Sequence, residues 1–335
     1  MESPEISVLM CTYNSQKYIG ETIKSILNQT FSEFELIIID DGSKDDTGKV
    51  VDSFKDKRIR YYKLKENVGI GKASNFGLSK VLGKYIARAD SDDLYDRTRF
   101  EKQKKFLDKN KEFCMVGTLI EYFADNENSP RYKSCKAYIE SQTNSVISYD
   151  DMNEKLYWFC CLINSTTMFR RNLIKKFKYG NYKTGEDYKL FYNLNKRGYK
   201  IANIKEKLTK VRIHDDSITA TMVKEAFEVL YNIKKEEIDK LTSNGQKTYI
   251  WGAGGSGKRV FELLSKYKYT VNGFIDKSVN KVGKSMYDFV IKSPDEILIG
   301  EEKVNIIIAS EVGRFEIVNY LKNMHYTHLK NFLVF

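Results

Sequence analysis

Three carboxylates stand close together in the segment YIARADSDDLYDR, residues 85–97, at the point where a short apolar run ends. They are Asp90, Asp92 and Asp93. Carboxylates this close repel one another and raise one another's pKa unless a positive charge lies among them. A Mg²⁺ or Mn²⁺ ion, held by one or two carboxylates and by substrate phosphates, removes that repulsion. The spacing therefore predicts a divalent-cation site for a nucleotide diphosphate. The alternative is that Asp92 and Asp93 cap the helix that begins near Asp96.

Two other apolar segments also end in polar residues, ISVLMCTYN at 6–14 and FELIIIDDGS at 34–43. Tyr13 at the first end offers an aromatic face for a nucleotide base, and Asp41 at the second offers an acceptor for a base N–H. Taken singly, Tyr13 fits a core position and Asp41 fits a plain turn. Their joint occurrence with the acid cluster favours a nucleotide site.

The elements that must position these residues alternate between strand and helix. Amphipathic helical segments separate apolar strands, and the first helix is predicted to begin behind a Ser15 cap. The strands fall at 6–14, 34–43, 59–64 and 84–89. Continuous apolar strands in this order predict an α/β fold, with a mostly parallel sheet covered by helices on both faces. Ligands bind beyond the carboxyl ends of such strands, so the polar ends should converge at one edge.

The middle of the chain is less regular. Residues 127–151 are predicted to form a polar loop, and LYWFCCLINSTTMF at 156–169 to form a buried strand.

A second strand, glycine turn and helix begins at TYIWGAGGSGK. Gly252, Gly254 and Gly257 fit the pattern G-x-G-x-x-G, and Asp276 follows at the spacing of about 20 residues that dinucleotide folds use. A P-loop is excluded because Arg259 stands where Ser or Thr would bind Mg²⁺. This block is too short for a dehydrogenase with its own substrate domain. An assembly or acceptor-positioning role is therefore favoured over nucleotide binding.

Composition bounds the function classes. Lys and Arg outnumber Asp and Glu by 56 to 45, a surplus that suits nucleic acid, anionic lipid or phosphorylated substrates. Nucleic acid is not expected, because the lysines are dispersed and no nucleic-acid-binding motif is present. No apolar run of about 18 residues and no signal peptide are found, which predicts a cytoplasmic protein. Contact with the inner membrane face stays open, although no amphipathic anchor stands out.

The motifs resemble a known family when they are taken as a set. One matching segment extends from VLMCTYNSQKY to IIIDDGSKDDT, and a second extends from NVGIGKASNF to DSDDLYDRTRFEKQ. Two shorter motifs, GEDYKLFYNL and RIHDDSIT, follow later in the chain. These segments cover roughly the first 220 residues and resemble the family 2 glycosyltransferases with the GT-A fold. The resemblance implies a metal-dependent transfer, with inversion, from a nucleotide-sugar such as a UDP-sugar. The acceptor would be a glycan, a lipid-linked sugar or a glycoprotein. We expect acceptor selectivity to reside between about Tyr122 and Tyr182. In that region Trp158 is compatible with stacking on a sugar ring or with filling the core, and the core is favoured.

By this resemblance, residues of the nucleotide pocket, the donor loop and the metal site can be assigned. The nucleotide pocket would be lined by Thr12, Tyr13 and Asn14, and the base would be held by Asp41. The donor loop would be shaped by Asn67, Gly69 and Asn75. The metal and the ribose would be held by Asp92 with Asp90 or Asp93. The family often has Arg immediately before the residue that matches Asn75, but this chain has Ser74. Lys72 is the candidate to supply the missing charge.

Three downstream residues complete the resemblance. Asp187 in TGEDYKL would be the general base, since an acceptor hydroxyl needs a carboxylate to take its proton. The alternative is that Glu186 and Asp187 cap the following helix. His214 would be a metal ligand near the diphosphate or a structural histidine. Arg212 would neutralise the leaving diphosphate or be an exposed strand residue.

The chain is predicted to comprise a GT-A domain at 1–220, a helical linker at 221–245 and a small Rossmann-like domain at 246–335. Two other functions stay open. A nucleotidyltransferase would share the sheet and the metal-binding acids, but it should carry a glycine- and arginine-rich phosphate loop where this chain has CTYNSQKY. A non-catalytic scaffold would use the C-terminal domain to recruit partners. Self-association through that domain is a further open expectation.

Overall fold

The computed structural model describes residues 4–182, 184–300 and 302–335. These residues divide into two compact units, Met1–Thr221 and Met222–Phe335. The helix that was predicted as a linker is grouped with the second unit.

Unit 1 is built on an eight-stranded sheet with the strand order β3-β2-β1-β4-β7-β6-β8-β5. Its strands are β1 Ile6–Thr12, β2 Phe34–Asp40, β3 Ile59–Lys63, β4 Tyr85–Asp90, β5 Leu94–Tyr95, β6 Phe113–Phe123, β7 Met168–Arg170 and β8 Lys200–Arg212. The first four strands pair in parallel, whereas β7 runs antiparallel to both β4 and β6. The predicted mixed α/β fold with a mostly parallel sheet is confirmed.

Unit 1 contains nine α-helices within the described ranges. They are α1 Ile19–Leu27, α2 Thr47–Asp52, α3 Ile70–Leu78, α4 Arg99–Lys109, α5 Pro130–Ser134, α6 Glu140–Asn144, α7 Tyr149–Lys155, α8 Glu186–Lys196 and α9 Ile218–Thr221. Of these, α1 and α4 pack against the sheet through apolar faces. The core beneath α1 and α4 includes Ile23, Ile26 and Phe100, which are fully buried against β1, β2 and β4. This core fixes the strand ends from which the polar residues project.

The strand ends meet at one edge, as the sequence predicts. Thr12 at the end of β1 is in register with Asp40 of β2, and Cys11 is in register with Asp90 of β4. The polar residues that follow each strand therefore start from neighbouring positions.

The structure corrects three local predictions. Residues 127–151 are not a loop but contain α5, a π-helical turn, α6 and the start of α7. Residues 156–169 are mostly irregular, and only Met168 and Phe169 join a strand. The helix α1 begins at Ile19 with Tyr18 as its N-cap residue and has no side-chain cap. The predicted Ser15 cap is wrong, since the hydroxyl of Ser15 lies 2.8 Å from the hydroxyl of Ser91.

Unit 2 contains a four-stranded parallel sheet of order β10-β9-β13-β14 and a short hairpin. Its strands are β9 Thr248–Trp251, β10 Gly273–Ile275, β11 Ser285–Met286, β12 Phe289–Val290, β13 Asn305–Ile308 and β14 Phe332–Val334. Its helices are α10 Val223–Thr242, α11 Gly255–Lys266, α12 Pro294–Leu298 and α13 Arg314–Asn323. A capping box on Ser293 and Glu296 starts α12.

Over the described ranges, every helix is too short or too polar to cross a membrane. None of the five cysteines forms a disulfide.

Candidate active site

The acidic segment after β4 is held by contacts from distant parts of unit 1. Asp93 is 2% exposed, and its Oδ1 accepts the backbone N–H of Arg212 at 3.0 Å. Its Oδ2 accepts the hydroxyl of Ser165 at 2.5 Å. Both oxygens of Asp93 are thus engaged by protein donors, and the residue fastens this segment to the end of β8.

Neither Asp92 nor Asp93 caps the next helix. The short strand β5 separates them from α4, whose first residue is Arg99. Asp96 instead accepts the N–H of Thr98 at 2.8 Å, close to the helix start. The helix-capping alternative is therefore wrong for the acid cluster.

Asp92 and His214 form a pair at the outer side of the cluster. Asp92 Oδ2 lies 2.9 Å from His214 Nε2, and both side chains are partly exposed. The other ring nitrogen of His214, Nδ1, is buried without a hydrogen-bond partner in the described structure. A carboxylate oxygen and an imidazole nitrogen are donors that Mn²⁺ accepts, so these two residues fit a divalent cation.

Two protein donors do not form a complete site. Among the described residues, no group of three or more His, Cys, Asp or Glu side chains is arranged to hold a metal ion. A cation bound to Asp92 and His214 would thus take its remaining ligands from water and from substrate phosphates, which is the usual arrangement for Mg²⁺.

The acids show the electrostatic strain that the sequence predicts. Burial, reinforced by the charges of Asp92 and Asp187, raises the pKa of Asp90 to about 7. Burial and the charges of Asp92 and Asp90 also raise the pKa of Asp93 well above its usual range. Because Asp187 acts on Asp90, the predicted general base and the acid cluster belong to one electrostatic site.

Arg212 at the end of β8 is not an exposed strand residue. It is 7% exposed, and its guanidinium forms ion pairs with Glu21 at 2.9 Å and with Asp125 at 2.5 Å. Its Nε donates to the carbonyl of Asp92 at 3.0 Å, and the rings of Tyr18 and Phe123 lie on it at 4.3 and 4.4 Å. These contacts hold the guanidinium of Arg212 against the acidic segment.

The three residues after β1 form a partly open turn. Thr12 is buried and its hydroxyl has no hydrogen-bond partner in the described structure. Tyr13 is 45% exposed, so its ring is free to receive a base. Asn14 has a positive φ of 51°, and its Oδ1 accepts the N–H of Lys44 at 2.9 Å. This turn joins the ends of β1 and β2, as the predicted nucleotide pocket requires.

Asp41 holds the loop before α3 through two hydrogen bonds. Its Oδ1 accepts the N–H of Val68 at 2.8 Å and its Oδ2 accepts the N–H of Gly69 at 2.9 Å. Burial raises the pKa of this carboxyl, and the two backbone hydrogen bonds oppose the shift. Asp41 thereby fixes the start of α3, and Asn67 stays exposed beside it.

Asn75 links α3 to the segment that precedes α8. Its Nδ2 donates to the carbonyl of Tyr179 at 2.9 Å, and its Oδ1 accepts the N–H of Tyr179 at 3.1 Å. Lys72 is exposed on α3, whereas the guanidinium of Arg88 donates to the hydroxyl of Ser74 at 3.2 Å. The buried positive charge beside Ser74 is therefore that of Arg88, and the role of Lys72 in contacting the donor stays a prediction.

The predicted general base lies in the first turn of α8. The N-cap residue is Gly185, in the left-handed conformation with φ 69°, so neither Glu186 nor Asp187 occupies the cap. Asp187 Oδ1 accepts the N–H of Tyr188 at 2.7 Å. Burial and the charge of Asp187 raise the pKa of Glu186 to about 8, and burial also raises the pKa of Asp187.

Several residues of this site were not identified from the sequence. Arg88 and Arg99 are fully buried, and Arg99 Nη2 donates to the carbonyl of Arg88 at 2.9 Å. Arg88 could have been found, because a charged residue inside an otherwise apolar strand is a recognisable signal. Ser165 and Asp125 carry no local signal, since their partners lie far away in the sequence.

The glycine turn of unit 2 is tightly packed on itself. A Cβ on Gly257 would lie 1.7 Å from the carbonyl oxygen of Gly252, so close packing requires glycine there. Gly254 is the N-cap of α11. Asp276 accepts the N–H of Ala253 and the ammonium of Lys281, each at 2.9 Å. The acid that a dinucleotide ribose would use is thus already paired within the turn.

Comparison with known proteins places this arrangement in context. A family model described as Glycosyl transferase family 2 matches residues 7–178, and one described as C2185-like, N-terminal, matches residues 244–331. A Haemophilus influenzae protein named as an uncharacterized glycosyltransferase is 31% identical over 304 residues, which cover 88% of each chain. The UDP-Glc:alpha-D-GlcNAc-diphosphoundecaprenol beta-1,3-glucosyltransferase WfaP of Escherichia coli is 30% identical, over 66% of this chain and 82% of the relative. Against three similar rickettsial proteins, the chain spans only about a third of their length.

Solved structures share the fold. Staphylococcus aureus TarS 1-349 in complex with UDP-GlcNAc superimposes with a TM-score of 0.55 at 22% identity, over 70% of this chain and 67% of that one. The mannosyltransferase PcManGT of Pyrobaculum calidifontis, in complex with GDP-Man and Mn²⁺, gives a TM-score of 0.55 at 17% identity, over 71% and 65%.

Proposed function

The chain belongs to glycosyltransferase family 2 and has the GT-A fold, and from this premise we propose that it transfers a sugar from a UDP-sugar by a metal-dependent, inverting displacement. One observation carries the proposal. Asp92 and Asp187 both raise the pKa of Asp90, which puts a cation-binding pair and a candidate base within electrostatic reach of the same carboxyl. A donor diphosphate and an acceptor hydroxyl need these two functions side by side.

The donor is expected at the carboxyl edge of the sheet. Tyr13 offers its exposed ring to the base, and Thr12, Asn14 and Asp41 frame the pocket around it. Asn67 and Gly69 shape the loop that Asp41 holds, and Lys72 is exposed at the start of α3. This set suits a nucleotide whose diphosphate extends from the base towards Asp90 and Asp92.

Asp92 and His214 are the residues that we expect to hold the cation. When bound, Mn²⁺ or Mg²⁺ neutralises charge on the departing diphosphate. Asp93 and Arg212 hold the backbone next to this pair in place. Both oxygens of Asp93 accept hydrogen bonds from the protein, and Arg212 donates to the carbonyl of Asp92.

Asp187 takes the proton in the transfer. As the acceptor oxygen forms its bond to the anomeric carbon, a carboxylate oxygen of Asp187 accepts the hydroxyl proton. The bond between that carbon and the phosphate oxygen breaks, and its electron pair leaves with the nucleoside diphosphate. The attack and the departure lie on opposite faces of the carbon, so the configuration inverts and no covalent enzyme intermediate forms.

The proposed class of acceptor is inferred from the relatives of this chain. WfaP is named for transfer to a sugar on diphosphoundecaprenol, which makes a lipid-linked acceptor the first candidate here. A glycan or a glycoprotein are the others. Family membership favours sugar transfer over nucleotide-sugar synthesis. The sequence CTYNSQKY after β1 supports this, because it lacks the glycine- and arginine-rich phosphate loop expected of a nucleotidyltransferase.

Turnover with defined donors tests the proposal. Purified protein is incubated with UDP-glucose, UDP-GlcNAc or GDP-mannose, with Mn²⁺ or with EDTA, and release of nucleoside diphosphate is measured with and without a lipid-diphosphate sugar acceptor. We expect Mn²⁺-dependent release that Asp187→Asn lowers by about 10²- to 10⁴-fold. Asp150→Asn, which changes an exposed acid on α7, is the matched control. Equal activity in the Asp187→Asn variant and the parent would overturn the assignment.

A further inference from the structure

The chain at the end of β7 carries a basic stretch on the surface of unit 1. The nine residues RRNLIKKFK at 170–178 contain five basic residues and no acid. Arg170 turns inward, and its guanidinium donates to the carbonyls of Leu107, Phe113 and Asn110. The other four basic residues are exposed, and they are Arg171, Lys175, Lys176 and Lys178. A local charge of this density, with no acid inside it, indicates a surface for an anionic partner.

The charges of these four residues are not neutralised by neighbouring acids. Within residues 4–182, 184–300 and 302–335, none of the four has a carboxylate oxygen within 4.0 Å of its side-chain nitrogens. Other exposed lysines of unit 1 do pair, as Lys207 does with Glu140 at 2.9 Å. Arg197, which follows α8 and is also exposed, joins the group, because its guanidinium lies 5.0 Å from the ring centroid of Phe177. The cations of this surface are therefore available to a partner.

Apolar side chains lie among these cations. Ile174 and Phe177 are partly exposed and border a small apolar cavity beside α8. The ring of Tyr199 meets that of Phe177 edge-on, at 5.3 Å between ring centroids. Leu82, whose carbonyl accepts Nη1 of Arg171 at 2.6 Å, is 51% exposed. This mixture suits a membrane surface, where apolar groups enter the headgroup region and cations meet anionic lipids.

We propose that this basic face, defined as the exposed and partly exposed residues of 171–178 together with Leu82, Arg197 and Tyr199, docks on an anionic lipid bilayer. Nucleic acid is the other polyanion that the cations could bind. Its recognition relies on phosphate contacts and on base stacking, to which the aliphatic side chains of Leu82 and Ile174 add nothing. A bilayer uses the cations and the apolar side chains together.

The basic face adjoins the part of the chain that leads to the candidate base. Lys178 is followed directly by Tyr179, whose backbone is bonded to Asn75 of α3, and α8 with Asp187 comes next. The proposal rests on the proposed function in one respect, the class of acceptor, since an acceptor on a lipid diphosphate is confined to a bilayer. Docking through this face would bring the enzyme to such an acceptor.

Cosedimentation with vesicles tests the basic face without any turnover. The purified protein is mixed with vesicles of phosphatidylcholine alone or of phosphatidylcholine with phosphatidylglycerol, and the bound fraction gives a partition coefficient. We expect binding to the anionic vesicles that weakens as salt is added, and little binding to phosphatidylcholine alone. The triple variant K175Q/K176Q/K178Q should lower the partition coefficient by about tenfold or more. Leu82→Ser keeps every charge and should lower it by about threefold, because an apolar contact is lost.

A matched triple variant separates the basic face from the net charge of the protein. K24Q/K57Q/K105Q removes the same number of charges from exposed positions elsewhere on unit 1, and it should stay within about twofold of the parent. If K175Q/K176Q/K178Q does not fold, K175Q/K178Q takes its place, since it keeps the contact between Lys176 and the hydroxyl of Tyr199 at 3.3 Å. Equal losses in the two triple variants, equal binding to both kinds of vesicle, or binding of the parent to single-stranded RNA but not to vesicles would overturn the proposal.

Donor turnover, measured on the same preparations, keeps this proposal distinct from the proposed function. If the parent binds anionic vesicles through the basic face but transfers no sugar, the proposed function fails and the docking surface stands. If the parent transfers sugar to a lipid-diphosphate acceptor but does not bind anionic vesicles, the proposed function stands and the docking surface fails.

Discussion

The backbone N–H of Arg212 donates to Asp93 Oδ1 at 3.0 Å, which joins the end of β8 to the acidic segment after β4. The side chain of the same arginine reaches the carbonyl of Asp92 and pairs with Glu21 and Asp125. The geometry of the candidate cation-binding pair therefore depends on a residue that is distant from Asp92 in sequence.

Arg212→Lys should weaken the site without unfolding unit 1. Lysine keeps the charge but cannot contact Glu21, Asp125 and the carbonyl of Asp92 at once, because it lacks the planar fork of donors. We expect the concentration of Mn²⁺ needed for half-maximal donor turnover to rise by about tenfold, an effect on the order of 1.4 kcal/mol. Glu21→Gln removes one partly exposed ion pair and should change it less than threefold. Parental Mn²⁺ dependence in Arg212→Lys would contradict the role.

Ser165→Ala tests the hydrogen bond behind Asp93. The substitution leaves Asp93 Oδ2 buried and without its donor, and a buried unsatisfied group costs about 1–3 kcal/mol or more when charged. The free energy of unfolding should fall by that amount in urea titrations. In an Asp93→Ala background the same substitution should cost much less, because its acceptor is gone. Equal costs in both backgrounds would show that the hydroxyl matters for another reason.

The sequence predicted those parts of the site that depend on local pattern. Apolar runs located β1, β2 and β4 closely, and the parallel order follows from the alternation with helices. Convergence of Thr12, Asp40 and Asp90 at one edge is a consequence of that order. These inferences need only the periodicity of the chain and the geometry of a parallel sheet.

The remainder depends on tertiary contacts that no local pattern encodes. The partners of Asp93 are Ser165 and Arg212, which the fold brings in from irregular chain and from β8. The segment 156–169 has the composition of a strand, yet most of it is irregular. Only its last residues pair with β4 and β6. Helices α5 to α7 were missed because they are short, polar and packed through a few side chains each.

Asn75→Ala tests the link between α3 and the segment before α8. Both hydrogen bonds to the Tyr179 backbone are lost, and each contributes about 0.5–1.5 kcal/mol. The segment that leads to Asp187 then loses its two hydrogen bonds to α3, so we expect a lower kcat together with a lower melting temperature. Ser79→Ala, at the exposed end of the same helix, is the control for helix stability. A variant with parental kcat would show that this segment is held in place by other contacts.

Gly257→Ala tests the packing of the turn in unit 2. The new Cβ would meet the carbonyl oxygen of Gly252 at 1.7 Å, and backbone on both sides limits relaxation. We expect a loss of unfolding free energy on the order of 3 kcal/mol, measured by calorimetry. Gly300→Ala adds a methyl group where nothing lies within 4 Å, and it should be nearly neutral. Similar melting profiles for the two variants would contradict the close packing of the glycine turn.

Glu186 should make the stability of unit 1 fall as the pH rises. Its pKa in the folded state is raised to about 8 by burial and by the charge of Asp187, whereas glutamate in an unfolded chain has a pKa of about 4.3. Between these values the folded state binds the additional proton, so the free energy of unfolding has a contribution that is fully present below about pH 4 and is lost as the pH rises through 8. Glu186→Gln removes that proton uptake.

Urea titrations at half-unit steps from pH 5 to 9 should therefore show a shallower decline in unfolding free energy for Glu186→Gln than for the parent. The control Glu112→Gln, at an exposed position, should follow the parent. Parallel curves for the parent and Glu186→Gln would mean that Glu186 is already ionised near pH 5, and the acid pair would then lack the mutual repulsion that its burial implies.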